Sequence, residues 1–497
     1  MDYCDIFIVH SKKQTNMITF SRAIFLAIFI VWHLASLIYI DSLGSLRQSL
    51  PQNIISWLSI TLIISITAFT VFCRRIKIVI TLPAICYCLS LAILMIELIS
   101  YQNESNSIDF WYWSGCTIGV LLYIAGLQVR KKWYIQSFCI YCYIMISVIQ
   151  VFLTAYQYIF EADIFYLASG MRSNGLSQQV NILSINMATA CLLSLMTLVL
   201  SQFSLSSEQY ENVRAILLGV CILLFTLVLV VLQSIIAWLC LTVCAFVFIC
   251  LFYNKNPLRV SASYFIIAVA IFIGIYLIKL GPQYIGTDII NQFHLKQMLR
   301  FSITLFLEKP YDAWEQSFLF ENSYERTAIP FFSPKMYIVP RPHNEIFLWI
   351  MSGGYINLIF MSLLLTGAIY VIFQSVIKYK TNGNGYPLAI ILSITPIIIH
   401  ANVEYPFLLS VLHWGIVILF LSFSDAAFAL EHQTLIYINK QLSSISSLII
   451  FILGLGIFSI GLFLFNGEKS FYSKENSIRE DLMIHTSSFI ILESTKL

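Results

Sequence analysis

The sequence predicts an all-α, polytopic membrane protein of about twelve to thirteen transmembrane helices, with one large loop outside the membrane. Three observations predict it. The 497 residues are 59% hydrophobic and only 11% charged, against about 25% charged in soluble chains. Apolar runs of about 20 residues, each bounded by charged or polar residues, recur along the chain. Lys and Arg cluster on alternate connections, as they do in short cytoplasmic loops.

The first apolar run, 17–40, follows Lys12 and Lys13. It is long enough to span, and is expected to stay as a signal anchor rather than to be cleaved. Further spans are expected at 53–73, 78–100, 110–129, 133–156, 181–203, 214–232, 234–253, 260–280, 346–374, 386–402, 407–424 and 446–465. The stretch 214–253 is too long for one span, so it is expected to fold as a tight hairpin. Basic clusters follow span two (Arg74, Arg75, Lys77), span four (Arg130, Lys131, Lys132), span eight (Lys255, Arg259) and span ten (Lys378, Lys380). That side is expected to be cytoplasmic, together with the N-terminus. The chain then divides into N-terminal spans (1–160), middle spans with a preceding motif loop (161–280), a large outer loop (281–345), C-terminal spans (346–465) and a short outer tail (466–497).

The net charge of +3 says little about partners. Of the 12 cysteines, all but Cys4 lie in or beside apolar runs. Cys86–Cys88 and Cys139–Cys142 have redox-like spacings but fall inside expected spans, where a thiol is a small packing group. The sequence has no metal-ligand cluster, no Gly-rich nucleotide loop and no basic-aromatic patch for nucleic acid. Membrane lipids are the expected surroundings.

Four polar constellations share the outer face in this topology. In "RPHNEIF", Asn344 is a plausible N-cap for the helix that follows. His343 would then stand beside a helix N-terminus that favours anions, where an imidazole can act as a base near neutral pH. The plainer reading is an ordinary cap with an interfacial histidine. The second is Arg300, with His294, Lys296 and Arg341. A guanidinium matches phosphate oxygens bidentately, and the plainer reading is a solvated basic loop. The third, "RSNGLSQQVN", holds Arg172, Asn174, Gly175, Gln178, Gln179 and Asn181. Glycine allows a tight turn, and the amides suit sugar hydroxyls or diphosphates. A polar loop ending in a cap explains it equally. In "HANVEYPF", His400 and Glu404 stand four apart and share a face in a helical turn. Ionisable groups at a span end are costly and tend to be functional, although a structural His–Glu contact fits the same spacing.

These residues resemble the O-antigen ligase/polymerase superfamily of bacterial inner membranes, over roughly 160–424. The resemblance rests on a large outer loop, then His343-Asn344-Glu345, then an apolar helix with Gly353-Gly354. Within it, the pattern is similar to PglL-type protein O-oligosaccharyltransferases. Arg172, Gly175, Gln179 and Asn181 follow an Arg-x-x-Gly-x-x-x-Gln-Pro-Asn pattern, with Val180 in place of proline. His400, Glu404, Tyr405 and Pro406 follow His-Ser-x-x-Glu-Tyr/Phe-Pro, with Ala401 in place of serine. A Ser-Arg-Thr/Ser motif has its counterpart at Ser234-Ile235-Ile236, where the arginine is missing.

The resemblance implies a GT-C-like glycosyltransferase that uses neither metal nor cofactor. Its donor would be an oligosaccharide on undecaprenyl pyrophosphate, and its acceptor a Ser or Thr of a pilin or other periplasmic protein. Arg172 and Arg300 would hold the pyrophosphate, and His343 would take or orient the hydroxyl proton. Asn344, Glu345, Arg341, Gly175, Gln179, Asn181, His400 and Glu404 would line the site. Three other readings stay open: a ligase acting on lipid A–core or a polymerase, a transporter or flippase, and an assembly subunit of an envelope complex. The absence of an internal repeat argues against the transporter.

Overall fold

The computed structural model describes residues 23–34, 51–75, 77–100, 107–129, 133–160, 177, 179–280, 303–304, 306–307, 344–404, 406–432, 436–457 and 459. In chain order the helices are α1 (Ala23–Leu34), α2 (Pro51–Arg74), α3 (Leu82–Ser100), α4 (Ser107–Gln128), α5 (Trp133–Phe160), α6 (Val180–Val199), α7 (Glu208–Val231), α8 (Ile235–Phe252) and α9 (Pro257–Leu280). They continue as α10 (Glu345–Asn382), α11 (Tyr386–Ala401), the single turn α12 (Pro406–Leu409), α13 (Val411–His432) and α14 (Lys440–Ile457). Among the described residues, eight helices are long and apolar enough to cross a membrane, and five shorter helices are apolar. The chain is an all-α protein of polytopic membrane type. Helices suit lipid because they satisfy every backbone donor and acceptor internally.

The boundaries differ from expectation in three places. The segment expected as one span at 78–100 begins with two extended residues, β1 (Val79–Ile80). They pair antiparallel with β2 (Ile436–Tyr437), Val79 opposite Tyr437 and Ile80 opposite Ile436. The Gln128 amide caps this bridge, donating to the Val79 carbonyl and accepting from its N–H. The span expected at 407–424 is interrupted at Ser410, between α12 and α13. Helix α10 runs on to Asn382 but is broken at Gly354, whose φ of 57° and ψ of −134° only glycine adopts readily. The Asn357 amide donates to the Trp349 carbonyl across that break, at 3.0 Å.

Helix α6 is the axis of the fold. Its apolar stretch is buried throughout, packed against α5, α7, α8, α9 and α11. The expected hairpin forms between α7 and α8. Gln233 turns the chain with a φ of 53°, and Ser234 caps α8 by accepting from the Ala237 N–H. Outer helices show large apolar side chains to the surroundings: Leu258, Phe265 and Phe272 on α9, Ile216 on α7, Ile369 and Phe373 on α10. Cys139, Cys191, Cys240 and Cys244 sit inside the core, as packing residues do.

Side-chain bonds define two opposite ends of the bundle. At one end, Lys255 reaches the Gly383 carbonyl, Gln202 reaches Asn384, and Arg259 reaches the Leu198 carbonyl. At the other, Asn181 of α6 meets Glu404 after α11, and Asn344 before α10 meets Asn402. Basic residues mark the first end. The second gathers the N-termini of α6, α8 and α10.

Candidate functional site

The polar end of the bundle is tied together by one hydrogen-bonded chain. Ser234 Oγ donates to Asn181 Oδ1 at 2.9 Å, and Asn181 Nδ2 donates to Glu404 Oε1 at 2.7 Å. The second carboxylate oxygen of Glu404 stands 2.9 Å from His400 Nε2. The His400–Glu404 spacing of four works because the last turn of α11 continues to Glu404, whose N–H donates to the His400 carbonyl. Beside this chain, Asn344 caps α10 by accepting from the Phe347 N–H at 3.0 Å. Its Nδ2 donates to the Asn402 carbonyl at 2.9 Å. Ile182, Leu348 and Leu409 pack together beneath, holding α6, α10 and α12 in place.

Burial sorts the roles. His400 has no exposed surface, while the Glu404 side chain keeps 22% of its own. His400 therefore faces outward only through Glu404. With the imidazole neutral, Nε2–H donates to the carboxylate, and Nδ1 has no hydrogen-bond partner among the described residues. Glu345, in the first turn of α10, is buried at 5% exposure. Gln179, just before α6, is exposed and makes no side-chain cap. Arg172, Gly175, Arg300, Arg341 and His343 lie outside the described residues. So the structure brings Asn181, His400, Glu404 and Asn344 to one end of the bundle, with Glu345 and Gln179 beside them.

The electrostatics follow from the helix ends. Three helices start here, and each start presents unpaired N–H groups and the positive end of a helix dipole. Such a site favours an anion. Glu404 already supplies one carboxylate to it, held by an amide and an imidazole. Among the described residues no group of His, Cys, Asp or Glu could hold a metal ion.

The sequence names Ser234 as the counterpart of a Ser-Arg-Thr/Ser motif but does not by itself place it in the site. Its signal was its place: it is the first polar pair with Gln233 in a 40-residue apolar run, where a hairpin must turn and a helix must be capped. Two residues just inside the same end were also missed. Asn53 of α2 donates to the Leu409 carbonyl and accepts from the Val411 N–H, pinning the break between α12 and α13. His413 is buried, with Nδ1 at 2.9 Å from Ser410 Oγ. Fold and site define an all-α protein of polytopic membrane type with a buttressed polar cluster at one end of the bundle. Comparison with protein-family models and with curated proteins finds no match.

Proposed function

We propose that the chain is a bacterial inner-membrane glycosyltransferase that works on the periplasmic side. It moves an oligosaccharide from undecaprenyl pyrophosphate to a Ser or Thr hydroxyl of a pilin or other periplasmic protein. One observation carries the proposal: three motifs far apart in sequence meet through hydrogen bonds at one end of the bundle, Asn181 with the His400-bound Glu404 and Asn344 with the Asn402 carbonyl between them. These are segments on which the resemblance to O-oligosaccharyltransferases rests. Three helix N-termini around them suit a pyrophosphate.

In this reading the acceptor oxygen attacks the anomeric carbon as the bond to pyrophosphate breaks. His343 takes the hydroxyl proton, and Arg172 and Arg300 balance the charge that grows on the leaving group. Asn344 and Glu345 position His343 or the sugar. His400 acts through Glu404, which with Asn181, Gln179 and Gly175 borders the donor. Pyrophosphate already leaves readily, so positioning and cations suffice.

The test is the intact mass of pilin and periplasmic proteins, with and without the gene, complemented by wild type, His343→Ala or Arg300→Lys. Wild type is expected to restore a glycan mass. His343→Ala should not, although it inserts normally, and Arg300→Lys should restore little because a point charge cannot replace the guanidinium fork. Unchanged protein masses with an altered lipopolysaccharide ladder would replace the protein acceptor by a lipid or glycan acceptor. No change in either would end the transferase reading.

A further inference from the structure

At the basic end of the bundle a cavity of about 180 Å³ opens between the end of α6, the start of α9 and the α10–α11 turn. Its lining includes Ser201, Gln202, Ser204, Lys255, Asn256 and Arg259, and no carboxylate. We propose that this cavity binds the phosphate of an anionic phospholipid headgroup from the adjacent leaflet.

The cations are held ready for a ligand. Lys255 spends one ammonium hydrogen on the Gly383 carbonyl at 2.7 Å and lies over the Tyr379 ring. Arg259 is fixed from behind: Nη1 donates to the Leu198 carbonyl at 2.9 Å, and Nη2 stands 2.6 Å from Glu211. Glu211 does not cancel it, because Arg214 also pairs with that carboxylate, through Nε and Nη2. Two arginines against one glutamate, with Lys255 beside them, leave the site cationic. Helix α9 adds the positive end of its dipole, and the Asn256 side chain caps it by accepting from the Arg259 N–H. The α10–α11 turn keeps the cavity open, since a Cβ at Gly383 would come within 3.1 Å of Lys255 Nζ.

The sequence neighbours of the lining residues point to the source of the phosphate. Leu205, Tyr253 and Leu258 flank the lining residues in sequence and are all exposed, Leu258 at 80%. Exposed apolar and aromatic residues next in sequence to a cationic lining suit a headgroup whose acyl chains stay in the bilayer. A soluble phosphate has no use for them.

The test uses the full-length protein in detergent. Short-chain phosphatidylglycerol, short-chain phosphatidylcholine and inorganic phosphate are titrated, with bound mass read by native mass spectrometry. Phosphatidylglycerol is expected to bind best. Lys255→Gln should weaken it about fivefold, as the loss of one cation near a lipid surface implies. Ser204→Asp, which adds a carboxylate at the rim without touching the Lys255 contacts, should weaken it at least as much. Unchanged phosphatidylglycerol affinity in both variants would overturn the site. Equal binding of the two lipids would overturn its selectivity for anions, and inorganic phosphate competing as well as the lipid would overturn the lipid assignment. None of these readings depends on transfer activity.

Discussion

At the scale of single residues, Asn344 does two jobs with one amide. Its oxygen caps α10 through the Phe347 N–H, and its nitrogen holds the Asn402 carbonyl after α11. Asn344→Ala loses both and should cost about 1–2 kcal/mol of stability. Asn344→Ser keeps an oxygen for the cap but cannot reach Asn402, so thermal unfolding in detergent should place it between wild type and Ala. A Ser variant as stable as wild type would show that the bond to Asn402 contributes nothing. The cap itself was legible in the sequence, because Asn before an apolar run is a local signal. Its bond to Asn402 was not, because nothing local pairs positions 58 apart. The same holds for Asn181 and Glu404. Each stood out as a polar residue at a span end, yet their contact spans 223 positions. Buried ionisable groups toward the basic end left even less trace. Asp425 accepts from Thr81 and Tyr123, and Lys378 donates to the Ala427 carbonyl. In the sequence these were a lone Asp beyond an apolar stretch and one Lys of a basic pair.

At the scale of elements, the break in α10 decides how the polar cluster meets the membrane. The leading turns from Glu345 to Gly353 carry Glu345 and are capped by Asn344, and the span proper is Gly353–Asn382. Gly354 makes the bend with a positive φ. Gly354→Ala forces an L-residue into that conformation and should cost about 1–3 kcal/mol. It should also disturb the site, because the Asn357–Trp349 bond that spans the break depends on the bend. Gly456 in α14 is the control. Among the described residues, nothing beyond its chain neighbours and its own helix backbone lies within 4 Å of where its Cβ would be, so Gly456→Ala should be neutral or slightly stabilising. Equal thermal stability of the two variants would remove the case for a required bend. The sequence announced a Gly-Gly pair but not which glycine bends, since that is settled by packing between Trp349, Asn357 and the neighbouring helices.

At the scale of the whole molecule, the spans were legible because bilayer thickness sets apolar length directly. Each expected span is mainly helical over its described part; the interior departures are residues 78–81, Leu200, the bend at Gly354 and the break at Ser410, and the rest fall at span ends. Side chains now add what hydropathy lacks, a physical assignment of which helix ends lie together. Helix α11 is the clearest ruler. Its first residue follows Gly383, which binds Lys255, and its last turn leads to Glu404, which binds Asn181. The two ends of one short helix thus belong to opposite faces of the bundle. Lys and Arg mark the first face, and the proposed topology puts that face in the cytoplasm. Alkaline phosphatase, which is active only outside the cytoplasm, fused after Gly383 should therefore be inactive, and fused after Asn402 it should be active. The reverse pattern would invert the molecule in the membrane and put the Asn181–Glu404–His400 cluster where a periplasmic acceptor cannot reach it. Equal activity at both sites would mean that α11 does not cross. Either result would sink the outward-facing transferase. The headgroup cavity would survive the first, since anionic lipid can be met in either leaflet.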